Sequence, residues 1–350
     1  MNEPKRPHKG SIEQQINSVE ITVKKVQECQ QALIIGQGMT HVALKDHNSF
    51  LIATDSQGLK VFEKGILVFS GELPEGDIQI FDAIYIPALN SYLLASRSEL
   101  YRKDINVKRP YLYLSVECSS RYGSYFRYSK LQERLIVNQN TCYISVINPV
   151  TRKTEIVIQK GVRWDINDFR LFGENEDRVV SVNLEGHIVL YSLNYAQKRG
   201  VVSVYQEKLM KVRYEELRST SVCQKNQYVC VEVGTTIRPF YSSRMIILKI
   251  CQEGLIKTAS IDLLNHRIGR KWALESIGYA GIHILWVGLS WKNNGFLQVF
   301  DFNSETDELR EIEQKRENHQ ENWPVKLHRL DDKFYYTGLE GKLMSLRLSK

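Results

Sequence analysis

The side chains of this sequence that could hold a metal or attack a substrate lie far apart. Its cysteines, Cys29, Cys118, Cys142, Cys223, Cys230 and Cys251, include no C-x-x-C pair. Its histidines, His8, His41, His47, His187, His266, His283, His319 and His328, include none at zinc-ligand spacing from a cysteine. Structural or solvent-facing histidines are expected, and no metal. Gly36-Gln37-Gly38 lacks the third glycine and the following helix of a dinucleotide site. It reads as a turn, and no cofactor is expected. There is no G-x-S-x-G, and acidic pairs such as Asp331-Asp332 fall where turns are expected, because Asp bonds its own backbone there. Nothing in this inventory points to catalysis, so the expectation is a protein that is not an enzyme.

Basic and aromatic residues do gather in three stretches, 234–244, 265–273 and 290–294. They carry Arg238, Arg244, Arg267, Arg270, Lys271 and Lys292 and no acidic residue. Phe240, Tyr241, Trp272 and Trp291 are interleaved with them. Guanidinium forks suit bidentate capture of carboxylate or phosphate, and aromatic rings add stacking area. Expected partners are therefore proteins with an acidic or phosphorylated segment. The alternative is a nucleic acid or a phosphoinositide on the same sector. The plain opposite is a solvated positive surface. A net charge of +7 is compatible with all three.

Positioning these stretches requires regular elements, and the pattern supplies them. In 50–73, three short apolar runs are separated by turns at Ser56-Gln57-Gly58 and Glu63-Lys64-Gly65, which is an antiparallel meander. The arrangement recurs in four-run units over 41–73, 78–116, 125–158, 166–205, 219–261 and 274–312. A three-run unit, 325–348, ends the chain, and one alternating run, 19–23, precedes the array. A helix competes for that first run, since 13–28 contains good helix formers. Residues 206–217 have mixed periodicity compatible with a short inserted helix. An open array leaves unpaired edges at both ends, and pairing the first run with the last unit removes them. In a four-strand unit the second-to-third-strand turn and the exit of the fourth strand share a face. That places the three basic stretches on one face of units five and six.

The matching turns DSQGLKVF, NLEGHIVLY and GLEGKLMSL place Gly58, Gly186 and Gly341 at equivalent positions. The first interval is 128 residues over three units, roughly 43 each. On this periodicity and turn chemistry the chain resembles the WD40-like β-propeller superfamily. Tyr191-Ser192 and Phe300-Asp301 stand where the Trp-Asp signature ends a third strand, and no Gly-His dipeptide precedes a unit. The resemblance implies an all-β, seven-bladed propeller closed by the N-terminal strand, with 19–350 one domain; residues 1–18, charged, rich in Gln and Asn and poor in apolar residues, are expected to be a disordered tail. It also implies a non-catalytic scaffold that recruits proteins, as a subunit of a larger assembly. Trp164, Trp272 and Trp323 each precede the first strand of a blade. They read either as anchors on the ligand face or as packing between blades, the latter for Trp164 and Trp323. Scattered cysteines, no N-x-S/T acceptor, no signal pattern and no apolar span of membrane length give the expectation of an intracellular, cytoplasmic protein.

Overall fold

The innermost and middle strands form as they do because both faces of the sheet are covered, as blade two shows. In Ser91-Tyr92-Leu93-Leu94-Ala95 every residue is buried. Tyr92 and Leu94 belong to the core shared with the preceding sheet, and Leu93 and Ala95 to the core shared with the next. Period-two alternation thus feeds two cores at once and appears in the sequence as a continuous apolar run.

The computed structural model describes residues 20–27, 40–54, 58–71, 73, 80–96, 99–116, 126–139, 143–159, 166–183, 186–206, 215–223, 227–235, 243–251, 254–263, 273–278, 282–289, 295–317, 327–330, 333–337 and 343–349. The first strand is β1 (Glu20–Gln27). Blade one follows with β2 (Thr40–Leu44), β3 (Phe50–Thr54), β4 (Gly58–Glu63) and β5 (Ile66–Gly71). Blade two is β6 (Asp82–Ile86), β7 (Ser91–Ala95), β8 (Glu99–Asp104) and β9 (Tyr111–Ser115). Blade three is β10 (Phe126–Ser129), β11 (Arg134–Gln139), β12 (Tyr143–Ile147) and β13 (Thr154–Gln159). Blade four is β14 (Ile166–Phe172), β15 (Arg178–Asn183), β16 (Ile188–Asn194) and β17 (Arg199–Gln206). Blade five is β18 (Glu215–Cys223), β19 (Tyr228–Thr235), β20 (Ser243–Cys251) and β21 (Gly254–Leu263). Blade six is β22 (Ala273–Gly278), β23 (Ile282–Leu289), β24 (Gly295–Asn303) and β25 (Glu308–Glu317). The last sheet is β26 (Leu327–Leu330), β27 (Lys333–Thr337), β28 (Leu343–Ser349) and β1.

All seven sheets are four-stranded and antiparallel. β1 pairs with β28 from Glu20 opposite Ser349 to Gln27 opposite Leu343. The last sheet meets the first: Tyr335 of β27 packs with Val42, Phe50, Ile52 and Phe62. The Tyr335 hydroxyl also shares a 2.6 Å hydrogen bond with His47 Nδ1. From blade one to blade six, successive neighbours are joined by apolar cores, such as Ile136, Val146 and Ile158 against Phe169 and Tyr191 between blades three and four. Each such buried aliphatic or aromatic side chain contributes about 1.5–3 kcal/mol.

Local chemistry sets the hairpins. Lys64 and Gly65 both have positive φ, 53° and 79°, the primed two-residue turn whose twist matches its strands. At Gly200 a Cβ would lie 2.4 Å from Ile158 Cγ1, so glycine permits the outer strand of blade four to settle on blade three. Every outermost strand carries a register shift. Val61 pairs with Phe69 and Phe62 with Leu67, which leaves Val68 unpaired on β5. Tyr113, Glu155, Ser203, Thr258 and Ile312 are likewise passed over on β9, β13, β17, β21 and β25, and Val26 on β1. Such bulges twist a sheet edge away from flatness and blunt its capacity to pair with another chain.

The strand expected at 19–23 is present as β1 and the competing helix is not, because β28 offers residues 20–27 a ladder. The short helix expected within 206–217 is corrected where the chain is described. Of 206–217, Glu215–Leu217 begin β18, and Leu217 is buried opposite Val233; residues 207–214 lie outside the described residues. So do the 1–18 tail, Trp164, Trp272, Trp323, Gly341 and Asp331-Asp332.

Candidate partner-binding surfaces

Two constellations of charged and apolar side chains stand out among the described residues. The first joins the innermost strands of blades three, four and five. Asp168 on β14 receives Arg127 Nη2 at 3.1 Å and its neighbour Phe169 N at 2.9 Å on one oxygen. Its other oxygen receives Thr220 N at 3.1 Å and pairs with Arg170 Nη2 at 3.5 Å. Arg170 Nε donates to the Thr220 carbonyl at 2.9 Å, and the Arg127 guanidinium lies 5.4 Å from the Phe169 ring centre. One nearly buried carboxylate therefore organises two arginines and a backbone amide from three blades. The chemistry is that of a strap between blades: it fixes their relative rotation. Further ties have the same effect. Ser129 Oγ donates to Glu176 Oε2 at 2.7 Å, and the Tyr113 hydroxyl donates to the Pro149 carbonyl.

The second constellation is on the rim of blades one and two. Ile66, Leu67 and Val68 are 68, 47 and 48 % exposed, three consecutive apolar residues on an outer strand. Beside them Lys103 of β8 is fully buried. Its ammonium donates to the carbonyls of Asp104, at 2.8 Å, and Val107, and lies 3.9 Å from the centre of the Phe69 ring. Burial pushes the Lys103 pKa down, against the pull of Asp104. Lys103 thus ties the 104–107 turn of blade two to β5 of blade one. On the blade-two side Val107, Tyr111 and Leu112 are also exposed. Asp104 accepts from Ser91 Oγ, Arg102 Nε at 2.6 Å and Tyr111 Oη at 2.9 Å. Burial alone would raise the carboxyl pKa, but these three donors outweigh it and hold it below the usual range.

Of the residues expected to form the basic sector, Arg244 is described. It is half-buried on β20, between Val233 of β19 and Asp262 of β21. Arg238, Phe240, Tyr241, Arg267, Arg270, Lys271, Trp272, Trp291 and Lys292 lie outside the described residues. Among the described residues no three of His, Cys, Asp and Glu gather as metal ligands would, and no helix is long and apolar enough to cross a membrane. The sequence reading did not pick out the rim. Its signal was the run Ile66 to Phe69, where apolar residues continue without alternation into the bulge.

By sequence the chain matches no protein-family model and no curated protein. By structure it is similar to many β-propellers. The Nup133 β-propeller domain of Vanderwaltozyma polyspora aligns with TM-score 0.62 at 9% identity, over 88% of this chain and 93% of that one. Virginiamycin B lyase of Staphylococcus aureus aligns with 0.61 at 10%, over 94% and 100%. The Cps50 (Swd1) β-propeller domain of Myceliophteria thermophila aligns with 0.51 at 11%, over 78% and 81%. At these identities the likeness is one of fold, and the fold is that of a β-propeller. One of these neighbours is a lyase by name, so the architecture does not by itself fix an activity.

Proposed function

We propose that the protein is a non-catalytic platform that holds protein partners as a subunit of a larger intracellular, cytoplasmic assembly. The observation that carries this reading is the consecutive exposure of Ile66, Leu67 and Val68 on a strand whose sheet is otherwise packed on both faces. Apolar side chains scattered singly over a surface need no explanation, whereas a contiguous group marks a site that another surface covers. Ties between successive blades hold such a surface in one geometry, which lowers the entropy lost on association. Among the similar structures are propeller domains, those of Nup133 and Cps50 (Swd1), which is compatible with a scaffold role. The basic sector of Arg238, Arg244, Arg267, Arg270, Lys271 and Lys292 is the second surface we assign to it, on residue chemistry, for an acidic or phosphorylated segment.

The test is the size of the native particle. The tagged full-length chain, expressed at native level, is run from lysate on a sizing column at physiological salt. A particle well above the 40.6 kDa of one chain is expected. Elution of the whole population at the monomer position contradicts the platform reading.

A further inference from the structure

From the hairpin turns of blades two and three we infer a docking site for an anionic phospholipid membrane surface. The inference goes beyond the platform reading and does not rest on it. Three turns make the site: 105–110 of blade two, and 130–133 and 148–153 of blade three. In an antiparallel four-strand sheet the first-to-second and third-to-fourth turns leave at the same end. Contacts between the turns hold them together. The Tyr113 hydroxyl donates to the Pro149 carbonyl, and the Arg152 guanidinium lies 4.9 Å from the centre of the Tyr113 ring. Tyr111 donates to Asp104, where the 105–110 turn begins, at 2.9 Å. Burial and that bond raise the Tyr111 pKa, against the charges of Arg102 and Arg152. Within blade three, Arg134 donates to the Gln132 carbonyl at 3.1 Å and to Glu155 at 2.6 Å, and Asn148 Nδ2 reaches the same carboxylate at 3.5 Å.

The tips of these turns combine apolar side chains with cations. Val107, Leu131 and Val150 are 40, 63 and 64 % exposed, and the last two, with Ile66, are the most exposed large apolar residues among those described. Singly they would need no explanation. Each, however, stands within two residues of an exposed cation: Lys108, Lys130, and Arg152, which Lys153 follows. None of these four cations is in an ion pair among the described residues. The carboxylates at the ends of the turns are already engaged, Asp104 by Arg102 and Glu155 by Arg134, both at 2.6 Å. Glu133 remains as the opposing charge within them. Blade four, beside them, adds as many carboxylates as cations: Glu174, Glu176 and Asp177 against Arg178, Lys198 and Arg199. The third-to-fourth-strand turn of blade six is acidic instead, with Glu305, Asp307 and Glu308 exposed. The turns are therefore basic on one side of the ring and acidic on another.

The backbone at the tips is already satisfied. Val107 N donates to the Asp104 carbonyl at 3.2 Å, and the Val107 carbonyl accepts from Lys103 Nζ. Leu131 N donates to Glu176 Oε2 at 3.2 Å. Val150 N and Thr151 N both donate to Asn148 Oδ1 at 3.0 Å. Carrying unpaired amides out of water is costly, and here the apolar side chains can make the transfer without that cost. A bilayer suits the arrangement better than a protein does. A protein partner needs one continuous complementary surface, whereas a headgroup layer closes around separate protrusions. Anionic headgroups complement the four cations beside the tips.

The experiment is flotation of the full-length chain with vesicles of phosphatidylcholine, alone or mixed in equal parts with phosphatidylserine. Wild type is expected to float with the mixed vesicles, not with phosphatidylcholine alone, and to be released as salt rises. Leu131→Asp with Val150→Asp removes the apolar tips and keeps the cations. Lys130→Glu with Lys153→Glu reverses charge and keeps the apolar tips. Each pair is expected to melt as wild type does and to weaken binding about tenfold or more. Lys249→Glu with Lys257→Glu makes the same charge change at exposed positions of blade five and is expected to leave binding close to wild type. The inference is overturned if wild type does not float, if it floats equally with both vesicles, or if either folded site variant binds unchanged. A loss in the blade-five control as large as in the charge variant also overturns it, since net charge would then explain the binding. A wild type that floats but is monomeric in lysate removes the platform reading and leaves this one. A large native particle that does not float does the reverse.

Discussion

Asp168 ties together the innermost strands of three blades. It is almost fully buried, and its two oxygens are shared among Arg127, Arg170, Phe169 N and Thr220 N. Removing one member of such a buried network leaves the others with charge and no counter-charge, a loss of about 3–5 kcal/mol. Asp168→Ala is therefore expected to lower the unfolding free energy obtained from urea titration by that amount, with blades three to five losing amide protection first. A loss below about 1 kcal/mol, the size typical of a surface ion pair, contradicts the strap. None of this was visible in the sequence. Asp168, Arg127 and Arg170 are separated by intervals that match no motif, and only the stacking of successive inner strands brings them together.

Elements were far more legible than sites. The turns at Lys64-Gly65 and Gly186 are where glycine and turn chemistry placed them, and the four-run units correspond to the sheets. Local propensity set these, so a local reading found them. The ambiguous segments were those whose state depends on a distant partner. Residues 20–27 alternate as a strand does but sit in a stretch, 13–28, that also contains good helix formers, and pairing with β28 decides for strand. The rim was missed for a related reason. Ile66 to Phe69 has the composition of a buried strand, and its exposure follows from its outermost position in the sheet. The repeated bulge was equally hidden, since one extra residue per hairpin leaves no compositional mark. It does make a prediction at this scale. Deleting Val68 keeps the Phe62–Leu67 and Val61–Phe69 pairs and removes only the bulge. The variant should fold, with a melting temperature within a few degrees of wild type, yet associate more strongly as its edge straightens. It does so despite having lost an exposed apolar side chain, so stickiness cannot account for it. Light scattering that shows one mass at all concentrations would contradict the role given to the bulge.

For the molecule as a whole, the decisive feature is that its first described strand completes its last sheet. A ring of blades has no exposed end, and cores shared between neighbours make the blades depend on one another. β1 completes the last sheet, while His47 and Tyr335 join the first blade to the last. On the platform reading proposed above, blades held rigidly to one another would let outer strands and loops serve as a binding surface. The direct test compares two truncations by thermal melting. Removing residues 1–18 leaves all the described strands in place and is expected to leave the melting temperature nearly unchanged. Removing 1–26 takes away all of β1 but its last residue, exposes the edge of β28 and is expected to cost several kcal/mol, with a melting temperature lower by many degrees. Equal melting temperatures for the two truncations would show that β1 does not hold the ring together.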